Sequence, residues 1–145
     1  MDAFQRAISV YDADDLPGVF AFMEEACEDA QVDPGLCFDL QLAVEEACCN
    51  VIEHAYDGAG GEFTIWFARR GRDVVITVHD HGRPFTPSEI ARPDLTLPLE
   101  QRPIGGLGLY IIYQLMDEVR FTFTEDGNTL VMVKRNAILV KEGNG

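Results

Sequence analysis

The stretch P-G-L-C-F-D-L-Q-L-A-V-E-E-A-C-C-N-V-I-E-H-A-Y at 34–56 decides the architecture. Pro34 is a favoured first-turn residue, Asp33 stands before it as a cap, and the D-G-A-G-G cluster at 57–61 supplies a stop. At about 100° per residue, Leu40, Ala47, Cys48, Val51 and Ala55 fall within about 60° of Val44. Glu46, Asn50, Glu53 and Asp57 gather near the opposite side. The spacing therefore predicts one long helix with a packing face and a face that presents acids and an amide.

Before it, L-P-G-V-F-A-F-M-E-E-A-C-E-D-A runs from Leu16 to about Ala30 with apolar and acidic residues at helical spacing. Asp14 or Asp15 is available as its cap, and residues 6–10 (R-A-I-S-V) read as a short edge strand. After it, G-E-F-T-I-W-F-A-R (61–69) and D-V-V-I-T-V-H-D (73–80) flank R-G-R and read as a hairpin rich in β-branched and aromatic residues. Beyond a proline-bearing segment at 84–104, L-G-L-Y-I-I-Y-Q-L-M-D (107–117) predicts an apolar helix, with Tyr110, Tyr113 and Met116 as core. E-V-R-F-T-F-T (118–124) and T-L-V-M-V-K-R (129–135), joined through E-D-G-N, complete a second hairpin. The order β-α-α-β-β-α-β-β predicts a two-layer α/β (α+β) sandwich, three helices on one face of a mixed, mostly antiparallel sheet. Helices and strands do not alternate, which excludes a Rossmann arrangement.

At 145 residues the chain fits one domain. No apolar run reaches the ~20 residues of a membrane span, and M-D-A-F-Q-R lacks the basic and apolar regions of an export signal. A cytoplasmic protein is expected. Cys27, Cys37, Cys48 and Cys49 have no C-x-x-C spacing and are expected as small buried or half-buried residues. The net charge of −14 leaves no basic stripe for nucleic acid. It also opposes any anionic ligand, so a cation, local arginines and backbone N–H groups would have to supply the attraction. Acids crowd the first third, where Arg6 is the only base after Met1, a distribution suited to a basic protein partner or to a solvated face.

Three constellations carry chemistry. Asn50 offers a neutral oxygen of the kind that helps hold magnesium, and Glu46, one turn earlier, can accept a proton. Taken alone, such a pair is also common on exposed helices. In D-H-G-R-P-F (80–85), Asp80 ends a strand and can accept from an exocyclic amine such as that of adenine, while Gly82 permits close backbone approach. An Asp-x-Gly turn explains the same residues equally well. In G-G-L-G-L (105–109), Gly105, Gly106 and Gly108 precede a helix whose free N–H groups favour phosphate. No G-K-[ST] ends the segment, so it is not a Walker A loop. The residues before it are long for an idle loop and suit a lid, placed at about 83–106. His79-Asp80-His81 has no second ligand cluster to make a zinc or iron site.

Together with G-N-T-L at 127–130, these motifs resemble in order the N box, the two glycine boxes and the last-strand motif of the Bergerat-type (GHKL) ATPases. The similarity spans roughly residues 5–135. N-x-x-x-H-A-Y (50–56), and P-D-L-T-L-P-L-E (93–100) with G-G-L-G-L, resemble most the small bacterial anti-sigma-factor serine/threonine kinases of partner-switching systems. The resemblance implies a single ATP-binding kinase domain over 1–145 that uses ATP and Mg2+. It implies a homodimer that binds a sigma factor and phosphorylates a STAS-domain anti-anti-sigma protein. By position, Asn50 would hold the metal, Glu46 would be the general base and Asp80 would contact adenine. Gly82, Gly105, Gly106, Leu107 and Gly108 would shape pocket and lid, Thr129 would support Asp80, and His54 and Arg102 would lie near the phosphates. Pro84 stands where many superfamily members carry a second glycine. An ATP-gated binding module without phosphotransfer, or a regulatory or sensor-type ATPase domain that phosphorylates histidine, are the competing expectations.

Overall fold

The computed structural model describes residues 4–85 and 111–139. Strand β1 (Phe4–Val10) leads through a 3-10 turn (Ala13–Asp15) into helix α1 (Leu16–Asp29), then α2 (Pro34–Asn50), which continues as a π turn (Val51–Ala55). Strands β2 (Phe63–Arg70) and β3 (Asp73–Asp80) follow, then helical residues 111–115 (α3), β4 (Glu118–Thr124) and β5 (Gly127–Lys134). The strands form one open sheet in the order β1-β2-β3-β5-β4, and every ladder among the described residues is antiparallel. The chain leaves β3, returns as β4 at the far edge, and only then inserts β5 beside β3.

The expected helix starts and stops have local causes. Asp33 Oδ1 accepts from Gly35 N at 2.9 Å, capping α2. Ahead of α1 the capping shifts forward: Asp12 Oδ1 accepts from Asp14 N, and Asp15 Oδ2 reaches back to Tyr11 N and Asp12 N. These bonds serve the 3-10 turn, so Asp15 stands at the N-cap of α1 without a side-chain bond to it. Cations from the sheet close two other helix ends. Arg69 Nη1 donates to Ala30 O just past α1, and Lys134 Nζ to Leu115 O at the end of α3.

Burial alternates along β3, with Val74, Ile76, Val78 and Asp80 inside. Against that face pack Val19, Met23 and Ala26 of α1 and Leu40, Val44, Ala47 and Cys48 of α2, the stripe that helical phasing picked out. Cys27 and Cys48 are buried and Cys37 and Cys49 partly so, and all four are free. Burial pushes the Cys48 thiol up to about 12 and raises Cys27 and Cys49, so these sulfurs behave as small apolar groups.

Phe67 is fully buried and Phe38 is 70% exposed, so the two phenylalanines should separate cleanly. Phe67→Ala is expected to cost about 3–5 kcal/mol. Phe38→Ala is expected to stay within about 0.5 kcal/mol of the parent. Urea unfolding monitored by circular dichroism measures both, and equal losses would contradict this layering.

Candidate nucleotide site

The polar residues buried among the described ones are Asn50, Asp80 and Asn128, at 6%, 1% and 2% exposure. They stand at one end of the sandwich, where α2 finishes, β3 finishes and β5 begins. Burying such groups is costly unless partners are supplied. For Asp80 they are: Oδ1 accepts from Gly82 N at 2.9 Å and from Asn128 Nδ2 at 2.9 Å. Among the described residues Oδ2 takes part in no hydrogen bond, which leaves one carboxylate oxygen for an outside donor. The turn and the binding reading of Asp-x-Gly are therefore compatible, because each uses a different oxygen.

Asn128 is the hub that sequence reasoning missed. Its Nδ2 also donates to Arg83 O at 3.0 Å, and its Oδ1 accepts from Phe85 N at 3.2 Å. The support expected from Thr129 is corrected by register. Asp80 is opposite Asn128 and His79 opposite Thr129, and successive strand residues face opposite ways. Thr129 Oγ1 accordingly sits 2.7 Å from His79 Nδ1, on the other face of the sheet. The direct cross-strand pairing of a buried Asp at the end of β3 with the second residue of β5 was the signal available once the register was known.

Two glycines make the junction possible. A Cβ on Gly82 would lie 2.4 Å from Ala55 O, and one on Gly127 (φ 128°) 1.8 Å from Asp80 O. The π turn brings Ala55 O to this contact, where it accepts from Arg83 N at 2.9 Å. Tyr56 adds a second tie, its hydroxyl accepting from His81 N at 2.9 Å and donating to Glu62 O at 2.6 Å.

On the same π turn His54 lies 5.6 Å from the Phe85 ring, and its buried Nε2 has no hydrogen-bond partner among the described residues. Such an orphan is uncommon in a finished core and is consistent with a position that meets a ligand. No hydrogen bond of the described residues uses the Asn50 side chain either. Glu46, half-buried one turn before Asn50, has its carboxyl raised above the ordinary glutamate value, first by burial and then by Glu45 and Glu53. Phe85 is itself buried and stacks edge-on to Phe121 at 5.0 Å, closing the floor. His79 and His81 contact edge-on at 4.8 Å, and His81 Nδ1 is 3.0 Å from Asp126 O. The structure thus brings Glu46, Asn50, His54, Asp80 and Gly82 to the ends of α2 and β3. Arg102, Gly105, Gly106, Leu107 and Gly108, with the lid beyond residue 85, lie outside the described residues.

A buried carboxylate, an amide whose side chain makes no hydrogen bond among the described residues, a buried imidazole and a glutamate with its carboxyl raised thus gather at one end of the sandwich. The chain belongs to the histidine kinase-like ATPase domain family, whose profile matches residues 10–134. Among its relatives, the proteins named serine-protein kinase RsbW of Bacillus mycoides (strain KBAB4) and Bacillus cereus (strain ATCC 10987 / NRS 248) are each 38% identical over 100 residues. Those matches cover 66% of this chain and 62% of each relative, so the chain spans less than two thirds of their length. The crystal structure of the RsbU and RsbW domains of Rv1364c from Mycobacterium tuberculosis shares the fold. Its TM-score is 0.62 at 21% identity, covering 94% of this chain and 35% of that one.

Asn128→Ala should strip three hydrogen bonds from the junction and cost about 1–3 kcal/mol, because Asp80 Oδ1 and Phe85 N lose a buried partner. Thr129→Val should cost clearly less. Chemical denaturation of the two variants decides between Asn128 and Thr129 as the support of Asp80, and a larger loss from Thr129→Val would reverse the assignment.

Proposed function

We propose that this chain is an ATP-dependent protein serine/threonine kinase with anti-sigma activity, acting as a cytoplasmic homodimer on a STAS-domain antagonist. The observation that carries the nucleotide part is Asp80, with one oxygen fixed by Gly82 and Asn128 and the other open. In this reading Asp80 Oδ2 accepts from the exocyclic amine of adenine. Gly82 keeps the π-turn backbone close enough to shape the pocket. His54 Nε2 faces the phosphates as a donor in the appropriate tautomer.

The residues present suit a magnesium ion. The Asn50 amide oxygen is a hard neutral donor with no competing hydrogen bond among the described residues. It also lies at the C-terminal end of α2, where the helix dipole favours a cation. When bound, the ion would neutralise phosphate charge. Glu46 takes the proton of the substrate hydroxyl as its oxygen bonds to the γ-phosphorus and the bond to the departing ADP oxygen breaks. Phosphoryl transfer asks mainly for such positioning, so a small set of residues suffices. The relatives' name, serine-protein kinase, supports serine as acceptor, and the sigma-factor and STAS partners rest on the motif resemblance.

Incubation with labelled ATP and a STAS-domain protein is expected to yield acid-stable phosphate on that protein. Acid-labile phosphate would instead mark a histidine acceptor. Persistence of intact ATP alongside full nucleotide binding would identify a binding module.

Glu46→Ala should retain nucleotide binding and lose about 10²–10⁴ in transfer rate. A base works deprotonated, so the rate should rise with pH through the Glu46 pKa, and that limb should lie above the ordinary ~4.3. Glu53→Gln removes one repelling charge and should move the limb to lower pH. A pH–rate limb at or below the ordinary glutamate range would exclude Glu46 as the titrating base.

A further inference from the structure

At the other end of α2 lies a cavity of about 380 Å³ that nucleotide chemistry does not use. Pro34 and Cys37 belong to the first turn of α2 and Asn50 to its last residue, so roughly 20 Å of helix separates cavity from site. The floor is apolar, made by Cys27, Val32, Pro34, Cys37 and Leu139. It is also built rather than incidental. Val32 bridges Ile138, Asp33 N donates to Ala137 O at 2.7 Å and Leu139 N to Gln31 O at 2.8 Å. The α1–α2 connection is thereby stitched to the segment that follows β5, and the groove exists before anything enters it.

Two features describe what fits. Large apolar side chains are exposed at and near the cavity: Leu139, which lines it, is 49% exposed and Phe38, the residue after Cys37 on α2, is 70% exposed. That extent suits a side-chain-bearing segment better than a compact small molecule. The rim is acidic and uncompensated. Arg6 pairs with Glu25 and Asp29 at 3.7 and 2.8 Å, whereas Glu24 and Glu28, which line the cavity, have no ion pair among the described residues. Glu24 and Glu28 are four apart on α1, one above the other on the same face.

We infer that this groove docks a basic amphipathic helix of a partner protein, its apolar face entering between Cys27, Cys37 and Leu139 and its lysines or arginines meeting Glu24 and Glu28. This is the helix-in-groove mode, with specificity from the two acids and affinity from the apolar anchor. A net charge of −14 makes an anionic membrane a poor alternative. The proposal stands apart from the kinase reading, because its residues and its test do not involve nucleotide.

The test titrates the full chain, labelled with nitrogen-15, with a synthetic peptide of about 18 residues. The peptide carries leucines at i, i+3, i+4 and i+7 and lysines elsewhere. Saturable one-to-one binding with amide shifts confined to 24–39 and 136–139 is expected. It should weaken at least tenfold, by about 1.4 kcal/mol, in Glu24→Lys/Glu28→Lys and in Leu139→Glu. Both variants change partly or wholly exposed side chains, and their circular dichroism and melting temperature should match the parent. Equal binding of a glutamate-for-lysine peptide would overturn the proposal by showing mere hydrophobic adhesion. Equal binding of a serine-for-leucine peptide would overturn it by showing mere charge attraction. Shifts elsewhere, or no saturation below about 1 mM, overturn it too. So does conversion of a dimer to a monomer by Leu139→Glu, which would give the groove to a second copy.

Discussion

The junction depends on a hydrogen bond between two buried side chains, Asp80 Oδ1 and Asn128 Nδ2, 2.9 Å apart. A carboxylate 1% exposed is a liability of several kcal/mol unless donors replace the water it lost. Here the second residue of β5 supplies one donor and the turn after β3 the other. Because Asn128 also holds Arg83 O and Phe85 N, the same side chain fixes where the chain goes once the sheet ends. Phe85 is thereby placed between His54 and Phe121. One pair of polar groups thus fixes the path of the chain beyond the strand end. The arrangement requires Gly127, since any Cβ there would collide with Asp80 O.

The second constraint is the break in the helix ladder after Asn50. A regular α-helix commits each carbonyl to the N–H four residues on. In the π turn Tyr56 N reaches instead to Val51 O, and Ala55 O is left to accept from Arg83 N. The irregularity docks helix on strand end through a main-chain hydrogen bond that the Tyr56 hydroxyl reinforces, and only glycine at 82 lets the two backbones come that close. It also carries His54 inward, where its Nε2 is buried without a partner among the described residues. A π turn at a functional site is a recurrent device. In this chain it positions three neighbours, His54, Ala55 and Tyr56, toward β3.

Most of the sandwich was legible because its signals are local and periodic. The stripe Leu40-Val44-Ala47-Cys48-Val51-Ala55 is the buried face, and both hairpins turn where Gly71 and Gly127 adopt positive φ. What escaped is non-local. Phasing put Asn50 on the polar side of α2, yet it is 6% exposed. A helical wheel does not contain the neighbouring segments that shield it. Thr129 was expected beside Asp80 and proved one residue out, because motif order gives a position to within a residue while the pleat reverses the facing at every step. Asn128 had no sequence signal of its own, being an ordinary turn-exit asparagine until cross-strand register sets it against a carboxylate. The π turn was invisible for a similar reason: V-I-E-H-A reads as plain helix, and the tie from Arg83 N that accompanies its irregularity comes from 28 residues away.

Charge links both ends of α2 to one physical problem. The chain carries 25 acids against 11 lysines and arginines, and an anionic ligand must be held against that field. At the C-terminal end burial, and after it the charges of Glu45 and Glu53, raise the Glu46 carboxyl, so negative charge is disfavoured there. In the proposed role an anion would be held there together with a cation that these groups attract and that the Asn50 oxygen can join, so the acids would belong to the nucleotide site rather than obstruct it. At the N-terminal end no such conversion is available. Glu24 and Glu28 flank apolar surface, and their charge, unpaired among the described residues, would select for positive partners directly. Under the proposed magnesium role the same composition would act through a bound ion at one end of the helix and without one at the other. The difference is set by which neutral groups, an amide or a set of apolar side chains and thiols, lie beside the acids.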